Sequence, residues 1–332
     1  MDQGFFSRGL RRAARIDPDQ FADVWVPSTS PQVTVLFPMY RQDAFVAEAL
    51  TSILEQCDIP CEILVCDDAS PGKTFTIALE TISQFLARTT SDGHELIHTV
   101  RVRRNSRTLG RMNVHAMAAE AACDILVQAH GDDISAPTRM RRIADAFADP
   151  SVKLVASSMR VMDALGTHDE SATITAPEGF FSVTTALDRP PWLIGAGLAW
   201  HESLLAEGIP LVLENTPVAH DRIMGLRAAL RGGAYTLADE LVVRRLHDEQ
   251  WLHNLTDPSS QPTRAHGWAV QKSMMFGAMM DEIRAAEAGG TISSAEATEY
   301  LANCRAELDA CNRDMRKYAG QLIGDGRHLV WK

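Results

Sequence analysis

The sequence predicts an α/β fold built on a doubly wound, mostly parallel sheet, with a helical appendage at its C-terminal end. Short apolar runs rich in β-branched residues alternate with segments in which apolar residues recur every three to four positions. This alternation is typical of a parallel sheet with right-handed crossovers. Two of the runs end in adjacent aspartates, and two long amphipathic segments close the chain.

The first part of the chain alternates strands and helices. The predicted strands are Val33–Phe37, which Pro38 stops, then Glu62–Cys66, Thr99–Arg103 and a run that begins at Ile125 and breaks at Gly131. The predicted helices are residues 43–56, a segment with Phe75, Leu79, Ile82, Phe85 and Leu86 on one face, residues 111–122 and residues 138–149. Ser135-Ala136-Pro137 supplies a capping side chain and a proline, which favour the start of that last helix.

The second part is less regular. The predicted elements are a strand within Val152–Met162, the segment Trp192–Trp200, a helix after Asp221, a strand Glu240–His247, and helices at 265–286 and 293–319 separated by Gly289-Gly290. Glycines within Trp192–Trp200 are consistent with a core strand with bulges and also with close approach of a sugar. The methionine-rich face of residues 274–283 is expected to cover the main domain or a second subunit.

The two aspartate pairs are the main functional signal. Asp67-Asp68 and Asp132-Asp133 each follow a predicted strand, and the carboxyl ends of parallel strands are where open α/β sheets bind ligands. Adjacent carboxylates repel each other unless a cation lies near them. Mg²⁺ and Mn²⁺ take oxygen ligands and are usually shared with phosphate, so a metal–diphosphate site is one interpretation. The other is an acid pair that caps the following helix.

Composition narrows the class of protein. The chain has 332 residues and a formal net charge of −11, which argues against nucleic acid as the main partner. No apolar run approaches the roughly 18 residues of a membrane span, and no signal-peptide core is present at the N-terminus. The six cysteines show no zinc-binding pattern and are expected to be reduced thiols in the cytoplasm. The basic, apolar residues 5–12 are compatible with an anionic membrane surface or with packing on the domain.

The motifs resemble the family 2 glycosyltransferases, which have the GT-A fold. The resemblance rests on Val33–Tyr40, then Ala49–Gln56, then Glu62–Ser70, in that order, and extends to about His247. The sequence His130-Gly131-Asp132-Asp133-Ile134 stands where the family carries its metal-binding Asp-x-Asp region. The family often has aspartate at the position of His130, and this departure leaves the metal and the metal dependence open.

The resemblance implies a donor site. Pro38 and Tyr40 would border the nucleotide base, and Asp68 would accept a hydrogen bond from its imide N–H, which suits uracil or thymine. Asp132 and Asp133 would face the ribose and hold Mn²⁺ or Mg²⁺, and His130 would hydrogen-bond the ribose or take a metal position. Arg111 would meet the diphosphate, or it is a solvated residue in the first turn of a helix.

The resemblance also implies an acceptor side. Asp221 would be the catalytic base, with His220 shaping the pocket, as in rhamnosyltransferase-like members; the alternative is that Asp221 only caps the helix. His247 would complete the metal shell or touch the diphosphate, or it is a surface or core histidine.

Together these features predict an N-terminal extension over 1–32, a GT-A domain over 33–255 and a helical region over 256–332. Within the GT-A domain, residues 33–135 would bind the nucleotide and residues 136–255 the acceptor. The expected activity is sugar transfer from a UDP- or dTDP-type nucleotide-sugar donor to a glycan, lipid-linked or other hydroxyl acceptor, with inversion. Such a protein would be cytoplasmic or peripheral to the inner membrane face, with self-association through the C-terminal helices as an open alternative.

Two rival functions remain. A nucleotidyltransferase would need a glycine-rich phosphate loop, and residues 38–43 contain no glycine. A non-catalytic sugar-nucleotide or glycan-binding module is favoured only by His130.

Overall fold

A mixed ten-stranded sheet forms the centre of the computed structural model, which describes residues 19–93, 95–110, 112–206, 220–248 and 262–324. The strands are β1 Ala22–Trp25, β2 Val33–Met39, β3 Cys61–Asp67, β4 Thr99–Arg104, β5 Ile125–Gln128, β6 Ile134–Ser135, β7 Leu154–Met162, β8 Gly179–Phe180, β9 Ala199–His201 and β10 Ala234–Arg245. The helices are α1 Val46–Leu54, α2 Thr74–Ser91, α3 Met112–Ala118, α4 Arg139–Ala146, α5 Val183–Leu187, α6 Ser203–Ala206, α7 His220–Leu230, α8 Pro262–Ala288 and α9 Ser294–Gly324.

The predicted fold class is confirmed in the parallel part of the sheet. Strands β4, β3, β2 and β5 lie side by side in that order, and every neighbouring pair among them is parallel. The strand order reverses between β2 and β5, which is the switch point where such sheets bind ligands. Alternate residues of β2 enter different cores: Leu36 packs on one face, whereas Val35 and Phe37 pack on the other. Both faces are therefore covered by helices.

Two local predictions were wrong, and one strand was not predicted. Strand β2 continues through Pro38 to Met39. The Pro38 nitrogen points toward β5, but β5 already ends at Gln128, opposite Leu36, so the proline removes no hydrogen bond between the two strands. Ser135 does not begin a helix; it lies in β6, which pairs with β10, and Thr138 is the N-cap residue of α4. Strand β1 was not predicted: it pairs antiparallel with β4 and extends the sheet.

The second half completes the sheet with antiparallel strands. Strand β9 lies between β5 and β7 and is antiparallel to both. The long strand β10 runs parallel to β7 and also pairs with β6 and β8. The segment Trp192–Trp200 is not one strand with bulges, because Gly195–Gly197 forms a turn of 3₁₀ helix immediately before β9. This turn therefore lies next to the end of β5.

The two C-terminal helices pack on the main domain. Met275, Met279, Met280 and Ile283 of α8 are buried in one core with residues of α7 and with Trp192. The buried Arg227 of α7 forms an ion pair with the buried Glu282 of α8. The methionine-rich face therefore covers the domain, as one of the two predicted alternatives has it. Among the described helices, none is long and apolar enough to cross a bilayer.

Candidate active site

Three candidate cation ligands come together in the loop after β5. One ligand atom each from His130, Asp132 and Asp133 lies within 4.8 Å of the others. The loop turns at Gly131, where an added Cβ would lie 3.0 Å from the Cβ of Met39 and closer still to the side chain of Gln42. Glycine lets this loop pass against the end of β2, whereas a larger residue would displace the Gln42 side chain and crowd Met39.

Residues at the end of β10 orient the two carboxylates. His247 Nε2 lies 3.0 Å from Asp132 Oδ2, and the backbone N–H of Arg245 donates to Asp133 Oδ1 at 2.9 Å. The Nε of Arg245 also donates to the Asp132 carbonyl oxygen at 3.2 Å. His247, singled out in the sequence, thus reaches the cluster through Asp132. Arg245 is a member that sequence reasoning missed, because an arginine near the end of a strand carries no signal of burial.

The electrostatics of the cluster favour a positive charge. Burial and, next to it, the Asp132 carboxylate raise the pKa of Asp133. Burial acts to lower the pKa of His130, but the hydrogen bond and charge of Asp133, together with the charge of Asp132, raise it overall. Repulsion between close carboxylates is relieved by a cation. Carboxylate oxygens with one imidazole nitrogen suit Mn²⁺ or Mg²⁺, so the residues present fit the cation that the sequence predicts.

Asp68 faces a loop rather than open solvent. Its carboxylate accepts hydrogen bonds from Asn105 Nδ2 at 2.7 Å, from the Leu109 N–H at 2.8 Å and from the Gly110 N–H at 2.7 Å. Asp68 is only 4% exposed, so these donors take most of its acceptor capacity. In this structure Asp68 therefore fixes the loop that follows β4. Arg111, the expected diphosphate contact, lies outside the described residues.

The turn that carries Tyr40 has an unusual backbone. Arg41 and Ala69, at the ends of β2 and β3, have φ values of 55° and 59°. Left-handed conformations of such residues are uncommon and cluster at functional sites. The Arg41 N–H donates to Ser70 Oγ at 3.0 Å, which joins the two turns. Tyr40 is half-exposed beside them, and the Arg41 guanidinium lies 5.2 Å from the centre of its ring.

His220 and Asp221 begin α7, as the sequence predicts. Asp221 Oδ2 accepts a hydrogen bond from the Gly195 N–H at 3.3 Å, and Oδ1 accepts from the Arg222 N–H at 2.9 Å. His220 Nε2 lies 3.1 Å from Gln128 Oε1. Because Gln128 ends β5, the start of α7 lies beside the cation-ligand loop.

Arg139 holds these segments together and was not predicted. It is 1% exposed, and its Nη2 donates to the carbonyl oxygens of Gln128 at 2.7 Å and Ala196 at 2.8 Å. Its Nη1 donates to Ser135 Oγ at 2.9 Å. Burial lowers the pKa of Arg139 to about 10. An arginine in the first turn of a helix normally looks solvent-exposed, so no sequence signal identifies this role.

Comparison with known proteins identifies the family. Residues 34–197 match the sequence profile described as glycosyl transferase family 2. This chain carries a family 2 glycosyltransferase domain. The match covers β2–β5, the cation-ligand loop and the turn at Gly195–Gly197, so the resemblance predicted from the motifs is confirmed.

Two curated relatives match part of this chain. One is the protein named "Putative glycosyltransferase EpsE" of Bacillus subtilis (strain 168), 28% identical over 152 residues, which are 46% of this chain and 51% of that protein. The other is the uncharacterized protein MT1568 of Mycobacterium tuberculosis (strain CDC 1551 / Oshkosh), 33% identical over 144 residues, which are 43% of this chain and 41% of that protein. The matched segment thus spans about half the length of these relatives.

One solved structure resembles the fold over most of its length. A crystal structure of S. aureus TarS in complex with UDP-GlcNAc superposes with a TM-score of 0.51 and 13% identity, covering 91% of this chain and 94% of that chain. At this identity the likeness concerns the fold alone. It extends past the family 2 profile, which ends at residue 197.

Proposed function

We propose that this chain is a glycosyltransferase that moves a sugar from a UDP- or dTDP-type nucleotide-sugar donor to a hydroxyl acceptor with inversion of the anomeric carbon. The observation that supports this most directly is the cluster of His130, Asp132 and Asp133 at the switch point of a family 2 domain. The start of α7, with Asp221, lies beside that cluster. Donor and acceptor groups can therefore meet at one edge of the sheet.

The donor side follows from the acid cluster. Asp132 and Asp133, with His130 or His247, would hold a divalent cation. When bound, that cation neutralises charge on the departing diphosphate. Pro38 near the end of β2 and Tyr40 directly after that strand would border the nucleotide base. Asp68 would act on the base directly, or through the 105–110 loop that its carboxylate fixes.

Asp221 is the proposed general base. Asp221 lies at the start of α7, beside the cation-ligand loop, and carboxylates are among the side chains that act as general bases. In transfer with inversion, Asp221 removes the proton of the acceptor hydroxyl as that oxygen attacks the anomeric carbon and the diphosphate departs on the opposite side. Contact of Asp221 with the Gly195 N–H orients one oxygen and leaves the carboxylate at the glycine turn.

The acceptor is proposed to be a glycan, lipid-linked or other hydroxyl compound. We expect the reaction to take place in the cytoplasm, at or near the inner membrane face. The basic residues 5–12, which would provide membrane contact, lie outside the described residues.

Calorimetry with nucleotide sugars tests the proposal. UDP- and dTDP-sugars are titrated with and without Mn²⁺ into the parent protein, into Asp133→Asn and into the control Asp239→Asn, an exposed acid paired with Arg142. We expect Mn²⁺-dependent binding to the parent and the control, and binding at least tenfold weaker to Asp133→Asn. Donor binding without hydrolysis or transfer would instead favour a binding module, and full activity in excess chelator would refute the cation role.

A further inference from the structure

Gln128 connects the two sides of the proposed site. It is the last residue of β5, and its side chain is 2% exposed. Its Nε2 lies 2.7 Å from His130 Nε2, and its Oε1 lies 3.1 Å from His220 Nε2. The amide is confined on a third side by Gly195, where an added Cβ would lie 2.8 Å from Gln128 Nε2. One amide group thus bridges an imidazole of the cation cluster and an imidazole beside the proposed base.

Because the Gln128 amide donates at one end and accepts at the other, it determines which nitrogen carries the hydrogen in each of the two imidazole rings. A glutamine side chain donates from nitrogen and accepts at oxygen, and a neutral imidazole donates from one nitrogen and accepts at the other. With Oε1 toward His220, the His220 ring carries its hydrogen on Nε2. With Nε2 toward His130, the His130 ring accepts at Nε2 and carries its hydrogen on Nδ1, which points at Asp133 Oδ2 at 3.4 Å.

Binding of a cation changes which nitrogen of His130 must carry the hydrogen. His130 faces the carboxylates through Nδ1, so binding a cation there needs the lone pair of that nitrogen. The ring hydrogen then belongs on Nε2 and needs an acceptor, as ligating histidines generally have. Rotation of the Gln128 amide by half a turn supplies its oxygen to His130. The same rotation presents an N–H to His220 Nε2, which must now accept.

We infer that Gln128 is a positioning residue that couples the cation site to the acceptor side. When His130 binds a cation, the amide of Gln128 turns over and the hydrogen of His220 is on Nδ1 instead of Nε2. Each ring loses one hydrogen to water and gains one from water, so no net proton is taken up. This inference rests on the proposed function and extends that function to the acceptor side. The segment that begins α7 is set for the acceptor only after a cation is bound by His130, Asp132 and Asp133.

The test reads the hydrogen of each ring directly. Protein labelled with ¹⁵N in histidine is studied by long-range ¹H–¹⁵N spectra, without ligand and with Mg²⁺ plus UDP, and the same samples are studied by calorimetry. In the parent we expect both His130 and His220 to exchange the nitrogen that carries hydrogen when Mg²⁺ and UDP are added. In Gln128→Met, which has similar volume and no amide, we expect Mg²⁺-dependent UDP binding about tenfold weaker and no response of His220.

Two further variants separate coupling from stability. Gln128→Glu can only accept, so both rings carry hydrogen on Nε2 before and after Mg²⁺ and UDP are added; we expect neither His130 nor His220 to respond. Gln56→Met is the matched control, because Gln56 is also 2% exposed and its amide bonds to Ser52, Ala136 and Met140, outside the site. It should respond as the parent does.

The outcomes distinguish failure of the coupling from failure of the proposed function. If Mg²⁺ and UDP bind the parent and His130 responds while His220 does not, the coupling is refuted and the proposed function stands. A response of His220 in Gln128→Met equal to that of the parent also refutes the coupling. If calorimetry shows no binding of Mg²⁺ and UDP to the parent, the proposed function fails and the coupling fails with it.

Discussion

Buried charged side chains accept hydrogen bonds from the backbone in one half of the sheet and donate them to the backbone in the other. In residues 33–135 the buried acids collect backbone N–H groups: Asp68 accepts from Leu109 and Gly110. In residues 136–248 the buried arginines supply carbonyl oxygens with donors: Arg139 donates to Gln128 and Ala196, and Arg227 to Leu204.

The difference concerns reach as well as sign. A short carboxylate fixes a loop at the edge of the neighbouring strand, whereas a long guanidinium with five donors joins several segments at once. Arg139 and Ala196 are 57 residues apart, and Arg227 and Glu282 are 55 apart. Asp68 thus fixes one loop, whereas a buried arginine of the second half joins several segments, so loss of a buried arginine should affect more of the fold.

The largest expected effect comes from Arg227→Met. This change removes the guanidinium that pairs with the buried Glu282 carboxylate, and breaking such a pair costs roughly 3–5 kcal/mol. We expect the free energy of unfolding, measured by urea denaturation, to fall by about that amount. The double variant Arg227→Met/Glu282→Leu removes both charges and should recover most of the loss. A double variant as unstable as the single one would show that the charge pair is not the cause.

Asp221 tests whether the comparison extends to catalysis. It is an acid in the second half, yet it accepts backbone N–H groups as the first-half acids do. Asp221→Asn keeps its shape and removes its basicity, so we expect kcat to fall roughly a hundredfold or more, with donor affinity unchanged. His220→Ala should reduce kcat less. If Asp221→Asn transfers sugar near the parent rate, Asp221 only caps α7.

Asp68→Asn should loosen a loop without unfolding the domain. The new amide nitrogen cannot accept from the donors that face it, and hydrogen bonds to a charged group contribute about 1.5–3 kcal/mol each. We expect the amides of Leu109 and Gly110 to lose protection from hydrogen exchange and the nucleotide donor to bind more weakly. Unchanged protection at both amides, with weaker donor binding, would instead indicate that Asp68 reads the base directly.

The smallest effect is expected at the exposed pair of Arg142 and Asp239. Their side chains are joined by two hydrogen bonds, at 3.2 and 2.6 Å, but are 40% and 38% exposed. Exposed pairs contribute about 0.2–1 kcal/mol, so Arg142→Gln should change the free energy of unfolding by no more than about 1 kcal/mol. A fall in the free energy of unfolding as large as that of Arg227→Met would show that burial does not determine how much an arginine of this half contributes to stability.

The sequence by itself determined the parallel strands, both aspartate pairs at one edge of the sheet, and the helical pair at the C-terminal end. These features follow from local periodicity, because burial of a strand or a helix face requires apolar residues at fixed spacing. It also placed His130, Asp132 and Asp133 on one loop, so their proximity was predictable. The roles of Asp68 and Asp221 remain predictions.

Only the tertiary structure decided the partners of the buried polar groups. In the folded chain, Asp68 accepts hydrogen bonds from the 105–110 loop, and Arg139 is buried against Gln128. His220 contacts the Gln128 amide, which also contacts His130. A buried polar group must find a partner, but that partner is whichever distant segment packs against it. The residues next to it in sequence do not identify that segment, which is why the link between the two sides of the site had no signal in the sequence.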